Sequence, residues 1–217
     1  GTGCVQDQEC ISCLQDYGAI GNASFKPAFV ASSCPSKCYP EGAVADFIRS
    51  KLEFIAQNPS KQPFFVAAGL KRPHLGWMAP QAYFDAYDPA TTTIAKHRQP
   101  PINMPPVAYF QNNSEMMSMQ NFKQNTSLKY TLYVDNKDVE NITAGYYELV
   151  VDDYHSTLRS AYYAAVSWTD DQLGAILDAL QENGFWNNTM IVFVGDHGYH
   201  LGELGAWCKN TPYEYSG

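Results

Sequence analysis

The chain has 217 residues, 45% of them hydrophobic and 17% charged, and a net charge of −8. That is enough for one globular domain with a real core, and the diffuse acidity argues against a nucleic-acid surface, which needs a basic stripe. No apolar run approaches the roughly 20 residues that cross a bilayer. The sequence opens at Gly1 without an initiator Met or a charged-then-apolar leader, so a fragment or processed chain is expected.

Five of the six cysteines fall in the first 38 residues: Cys4, Cys10, Cys13, Cys34 and Cys38, with Cys208 far off. The stretch around them reads as loop. Cys10-x-x-Cys13 and Cys34-x-x-x-Cys38 have spacings that suit zinc, and they equally suit disulfides, whose connectivity spacing cannot decide. Five N-x-S/T sequons, at Asn22, Asn112, Asn125, Asn141 and Asn187, favour an oxidising, glycosylating compartment and hence disulfides.

Glu41–Gln57 carries Val44, Phe47, Ile48, Leu52 and Ile55 at three- and four-residue steps, which predicts an amphipathic helix between Pro40 and Asn58-Pro59. Phe64–Gly69 is a short apolar run that predicts a buried strand. The loop after it, Leu70-Lys71-Arg72-Pro73-His74-Leu75, sets an imidazole beside two cations just past the strand end. Gln81–Tyr87 predicts one or two helical turns. Thr91–Thr143 is long, polar and without period; it holds three sequons, a possible short strand at Tyr130–Val134, and a basic cluster, Lys96-His97-Arg98, that reads as a solvated patch.

Tyr146–Asn183 gives the strongest helix signal, with Leu158, Tyr162, Ala165, Val166, Leu173, Ile176, Leu177 and Leu180 on one stripe and Asn183-Gly184 as the stop. Asp152, Asp153 and His155 precede the stripe as helix-start charge or as a carboxylate–histidine pair. Met190–Val194 is apolar and rich in β-branched residues, which predicts a strand buried on both faces, as in a parallel sheet. Gly195 ends it, and Asp196-His197 follows where ligands bind in open α/β sheets. Asp and His are both competent metal ligands, and Lys209, further along, offers a cation to an anionic substrate. The mixture suits a hard cation with Lys and His facing a phosphoryl or sulfuryl oxyanion. There is no G-x-x-x-x-G-K-[ST] loop and no G-x-S-x-G elbow, and no nucleophile stands out.

Val194–Gly205 with Trp207 and Lys209 resembles the D-H-G-x-x-L-G-E-x-G-x-W-x-K block of sulfatases, in particular the iduronate-2-sulfatase-like branch. Pro63–Gly69 with Arg72-Pro73-His74 resembles that branch's P-F-F-x-x-x-G…K-P-H segment, with Arg72 in place of Lys. Ser160–Ser167 resembles its Y-x-A-x-V-S-x-x-D helix, with Asp170 or Asp171 at the end, and Pro106–Tyr109 is similar too. The resemblance covers about Glu41–Lys209, with the blocks in order.

It implies an α/β, alkaline-phosphatase-like fold with a mostly parallel sheet flanked by helices, here a partial domain. It implies a Cys-rich loop region over 1–40 and the central and C-terminal part of a sulfatase catalytic domain over 41–217. By the same resemblance Asp196 and His197 bind Ca2+, and His74 and Lys209 hold the sulfate and assist the leaving group. The substrate would be a sulfated small molecule or glycan, and the setting secreted, lysosomal or otherwise endomembrane lumen.

The family's C-x-P-x-R motif, whose Cys becomes formylglycine, is absent from these residues, as are the first-strand Asp pair and a lysine–histidine pair. These are expected in a missing N-terminal part of the same domain. Ser33-Cys34-Pro35-Ser36-Lys37 mimics the motif but lacks its arginine, and neighbouring Cys38 points to a disulfide loop. A phosphodiesterase or phosphonate hydrolase of the same superfamily, or a non-catalytic module binding sulfated glycans, are the alternatives.

Overall fold

The computed structural model describes residues 7–16, 28–60, 62–98 and 152–209. The expectations for Tyr130–Val134, Pro106–Tyr109, Cys4 and the sequons other than Asn187 lie outside them. The described residues divide into two units: 7–16, 30–86 and 162–193 in the first, and 28–29, 87–98, 152–161 and 194–209 in the second.

The first unit is built on α2, Pro40–Gln57, and the greater part of a long helix, α4, Asp152–Glu182. Pro40 stands at the first helical position of α2, where its missing N–H costs nothing. Ile48 and Leu52 are buried as the periodicity predicts and Ala45 joins them, but Phe47, predicted on the same stripe, faces outward. Gly42 permits the start of α2 to close on the preceding turn, for a Cβ there would lie 2.1 Å from the Ser36 carbonyl oxygen. α4 begins within the predicted range and stops at Gly184, whose φ of +77° is the left-handed terminator that glycine supplies. Its buried face runs through Leu158, Ala161, Ala164, Ala165 and Trp168, so the stripe is narrower and smaller in side chain than predicted, and Val166 is exposed.

The amino-terminal region has more order than a loop. α1 spans Gln8–Asp16 and β1 Phe29–Ser32, which pairs with β2, Trp77–Pro80. A short α3, Gln81–Asp85, follows β2 as expected. Disulfides Cys10–Cys38 and Cys13–Cys34 bind α1 to the turn before α2, so these four sulfurs hold no zinc. Cys34 is thereby removed as a nucleophile. Around the bridges Leu14, Tyr39, Ala79 and Trp168 form one core cluster, and Ile48, Leu52, Ala179 and Leu180 form another. Tyr83 packs edge-on against Trp168 and donates its hydroxyl to Asp171; burial and that carboxylate push the phenol up to about 12.

The two apolar runs depart from expectation. Neither Phe64–Gly69 nor Met190–Val194 pairs with any strand among the described residues. Phe65 is 91% exposed, Met190 88% and Val192, Phe193 and Val194 between 74% and 78%. The predicted burial on both faces therefore fails here. An apolar run specifies what a segment needs, and a strand is buried only where neighbours supply a ladder on its edges and cover on its faces. Among the described residues, Phe64 packs edge-on against Phe185 at 5.1 Å.

Candidate functional site

His74 belongs to the first unit. Its loop is fixed from three sides by backbone bonds. The Arg72 N–H donates to Glu41 Oε1 at 3.2 Å, Thr169 Oγ1 donates to the Arg72 carbonyl at 3.4 Å, and Trp77 Nε1 donates to the Pro73 carbonyl at 2.9 Å. Glu41 is 1% exposed and also accepts from Trp168 Nε1 at 3.3 Å. Arg72 Nη1 lies 3.9 Å from the same carboxylate, while its Nε and Nη1 make no hydrogen bond among the described residues. Burial pushes the Arg72 guanidinium pKa down and Glu41 pulls it up, so the two charges are held as a weakly satisfied buried pair. His74 Nδ1 sits 2.7 Å from the Leu75 carbonyl. A carbonyl only accepts, so Nδ1 carries the proton of the neutral ring.

Asp196, His197 and Lys209 belong to the second unit. Asp196 is 90% exposed along its side chain, and its Oδ1 accepts the His197 N–H at 2.9 Å. His197 Nδ1 lies 2.8 Å from the Gly198 carbonyl, which fixes the proton on Nδ1 and leaves the Nε2 lone pair for a metal. Asp196 Oδ2 is 3.7 Å from that Nε2. Two donors so spaced can both reach one divalent ion, whose bonds to oxygen run about 2.0–2.6 Å. The pair thus fits a cation, as two ligands of several. Among the described residues no cluster of three or more His, Cys, Asp or Glu forms a complete site.

Next comes a tight antiparallel hairpin, β3 at His200–Leu201 and β4 at Trp207–Cys208, with His200 opposite Cys208 and Leu201 opposite Trp207. This register sends the chain in after Asp196-His197 and out at Lys209 on the same end, so the candidate ligands and the candidate cation share it. His200 is fully buried and its Nδ1 meets Glu203 Oε1 at 2.6 Å; Glu203 Oε2 accepts the Leu201 N–H at 2.9 Å. Burial raises the Glu203 carboxyl pKa, but these bonds outweigh it and hold the value below 4.5. Lys96 and His97 are exposed, as expected of a solvated patch, while the His97 carbonyl accepts the Leu204 N–H at 2.6 Å and ties that loop to the hairpin.

Comparison with known proteins decides what this arrangement belongs to. The Sulfatase family model matches residues 16–217. The chain belongs to the sulfatase family. Iduronate 2-sulfatase of Homo sapiens is 32% identical over 180 residues, covering 81% of this chain, and that of Mus musculus 30% over the same length. A sulfatase of Formosa agariphila is 32% identical over 155 residues, 71% of the chain. The chain spans 29% of the length of the two iduronate 2-sulfatases. Among solved structures, the phosphonate monoester hydrolase SpPMH from Silicibacter pomeroyi superposes with a TM-score of 0.59 at 19% identity, over 97% of this chain and 40% of that one. That likeness establishes the α/β, alkaline-phosphatase-like fold.

In this sulfatase chain the residues that sequence reasoning missed are the supports. Glu41 stood in the sequence only as the first residue of the predicted helix. His155, read with Asp152 and Asp153 as helix-start charge or a carboxylate–histidine site, sets its Nε2 3.0 Å from the Leu201 carbonyl. Hydrogen bonds from a side chain to a distant carbonyl leave no spacing pattern. The one available signal was Gly202, a glycine at the turn of the hairpin.

Proposed function

We propose that the chain supplies part of the catalytic domain of a sulfuric ester hydrolase, with a sulfated sugar as the class of substrate. Asp196 and His197 hold a divalent cation, Ca2+ by the family resemblance, and that ion when bound draws charge from a sulfuryl oxygen. Lys209 places a positive charge on the sulfate and offsets the charge that develops in the transition state. His74 binds the sulfate as the imidazolium, with protons on both ring nitrogens, and gives the Nε2 proton to the leaving oxygen, which leaves the neutral ring with its Nδ1 proton on the Leu75 carbonyl. The nucleophile, a formylglycine in this family, comes from residues outside these 217, so these residues alone are expected not to hydrolyse sulfate esters. The partner of the chain is accordingly the remainder of its own domain.

The observation that supports this reading best is the pairing of Asp196 Oδ2 with His197 Nε2 at the end of the hairpin from which Lys209 leaves. The test is hydrolysis of 4-nitrocatechol sulfate by the full-length protein. Asp196→Ala and Lys209→Ala are each expected to lower kcat/KM by about 100-fold or more. Unchanged turnover in either variant removes that residue from the site. The fold neighbour favours one second reading, a phosphonate or phosphate ester hydrolase. Parallel turnover of sulfate, phosphate and phosphonate esters, with metal content measured on the same preparation, separates the two; a folded protein that turns over none of them is a binding module. A secreted or lysosomal setting is proposed from the two disulfides and the sequons, of which Asn187 is exposed. A glycosidase-sensitive mass on the protein isolated from its native source checks it.

A further inference from the structure

Lys209 follows directly on a residue whose backbone is strained. Cys208 has φ of +71°, in the left-handed region that a non-glycine residue rarely adopts and that persists only where the surroundings support it. The hairpin that carries this residue is held by the first turns of α4. His155 Nε2, at 3.0 Å, and Arg159 Nη1, at 3.1 Å, both donate to the Leu201 carbonyl, one helical turn apart on the same face. The His155 ring also meets Trp207 edge-on at 4.9 Å, and Trp207 is the register partner of Leu201. One imidazole therefore touches both strands of the hairpin. Gly202 completes the fit: with φ of +94°, a Cβ there would stand 2.2 Å from His155 Cε1 and 2.4 Å from Nε2. The glycine is required by the ring as well as by the turn.

We infer that His155 and Gly202, with Arg159, are positioning residues that set where Lys209 stands against the substrate's anion. They touch no reacting atom and act through the hairpin. The inference rests on Lys209 being the sulfate-binding cation. Inorganic sulfate is the probe, and its dissociation constant is measured by calorimetry on the full-length protein, well below the melting temperature of each variant. His155→Phe keeps a ring and loses the donor; Gly202→Ala displaces the ring; His155→Gln keeps a donor at similar reach. The first two are expected to weaken sulfate binding roughly tenfold, the share of one charge-assisted hydrogen bond, and His155→Gln to stay within about threefold. On a Lys209→Ala background the same substitutions are expected to add no further weakening, which a purely structural role would not produce.

Equal weakening with and without Lys209, or folded variants that bind sulfate like the parent, overturns the inference. Should Gly202→Ala fail to fold, the His155 pair decides alone. If Lys209→Ala itself leaves sulfate binding unchanged, the role given to Lys209 is what fails, and the inference goes with it.

Discussion

The first unit contains two kinds of surface that the same residue types produce. At its disulfide-bridged end, Cys10, Leu14, Tyr39 and Trp168 are between 0% and 2% exposed, and even a carboxylate, Glu41, is hidden. In its apolar runs, Phe65 and Phe193 are 91% and 76% exposed. Phenylalanine is no less hydrophobic in the second place. The difference is that α1, α2 and α4 approach one another with side chains to spare, whereas an extended segment brings only its own width and depends on neighbours for every contact. Burial is a property of the arrangement around a residue, and the apolar runs mark where this arrangement is open.

The comparison is broken most severely by removing the covalent bridges. Replacing all four of Cys10, Cys13, Cys34 and Cys38 with Ser is expected to cost on the order of 5 kcal/mol. The outer bond closes a long loop in the unfolded chain and the inner one adds less. Urea unfolding of the variant against the parent gives the figure, and mass spectrometry with and without reductant confirms the bonds beforehand. Next comes Glu41→Ala, expected to destabilise by about 3–5 kcal/mol because it strands the Arg72 guanidinium and the Trp168 N–H in the interior. Replacing the Glu41 and Arg72 pair together with Met and Leu is expected to recover much of that loss, and a double-mutant cycle measures it.

A smaller effect belongs to the hairpin. The Glu203 carboxyl titrates below its ordinary value, so it stabilises the fold above pH 4.5 and that contribution is lost as pH falls through the lowered value. Because the group is partly solvated, no more than about 1 kcal/mol is at stake. Glu203→Gln should flatten the fall in unfolding free energy between pH 5 and pH 3 by about that amount, read from urea unfolding at each pH. The smallest effect sharpens the contrast from the other side. Phe193→Ser is expected to change the stability of these residues by less than about 0.5 kcal/mol, as for any exposed position, although a buried phenylalanine would cost 3–5. A large loss would show that the run is covered after all.

These cases also show how much could be read in advance. α2 and α4 were legible because a helix satisfies its own backbone, so periodicity alone fixes it; the terminator at Gly184 was legible for the same reason. The family was legible because its blocks are contiguous in sequence, and the same blocks carry the residues proposed for the site, Asp196, His197, His74 and Lys209. Disulfides could be preferred over zinc at Cys10, Cys13, Cys34 and Cys38, but their pairing needed geometry. The exposure of Met190–Val194 was out of reach, since the residues that decide it are distant ones. So was the duty of His155, which meets Leu201 across 46 positions of sequence.

The two bridges are concentric, Cys13–Cys34 lying within the loop closed by Cys10–Cys38. A protease that cuts any peptide bond between residues 13 and 34 therefore separates nothing. Both pieces remain tethered by two sulfur links, and the nicked molecule migrates as an intact chain on a gel until a thiol is added. Apparent integrity under non-reducing conditions is thus no measure of whether the backbone here is whole.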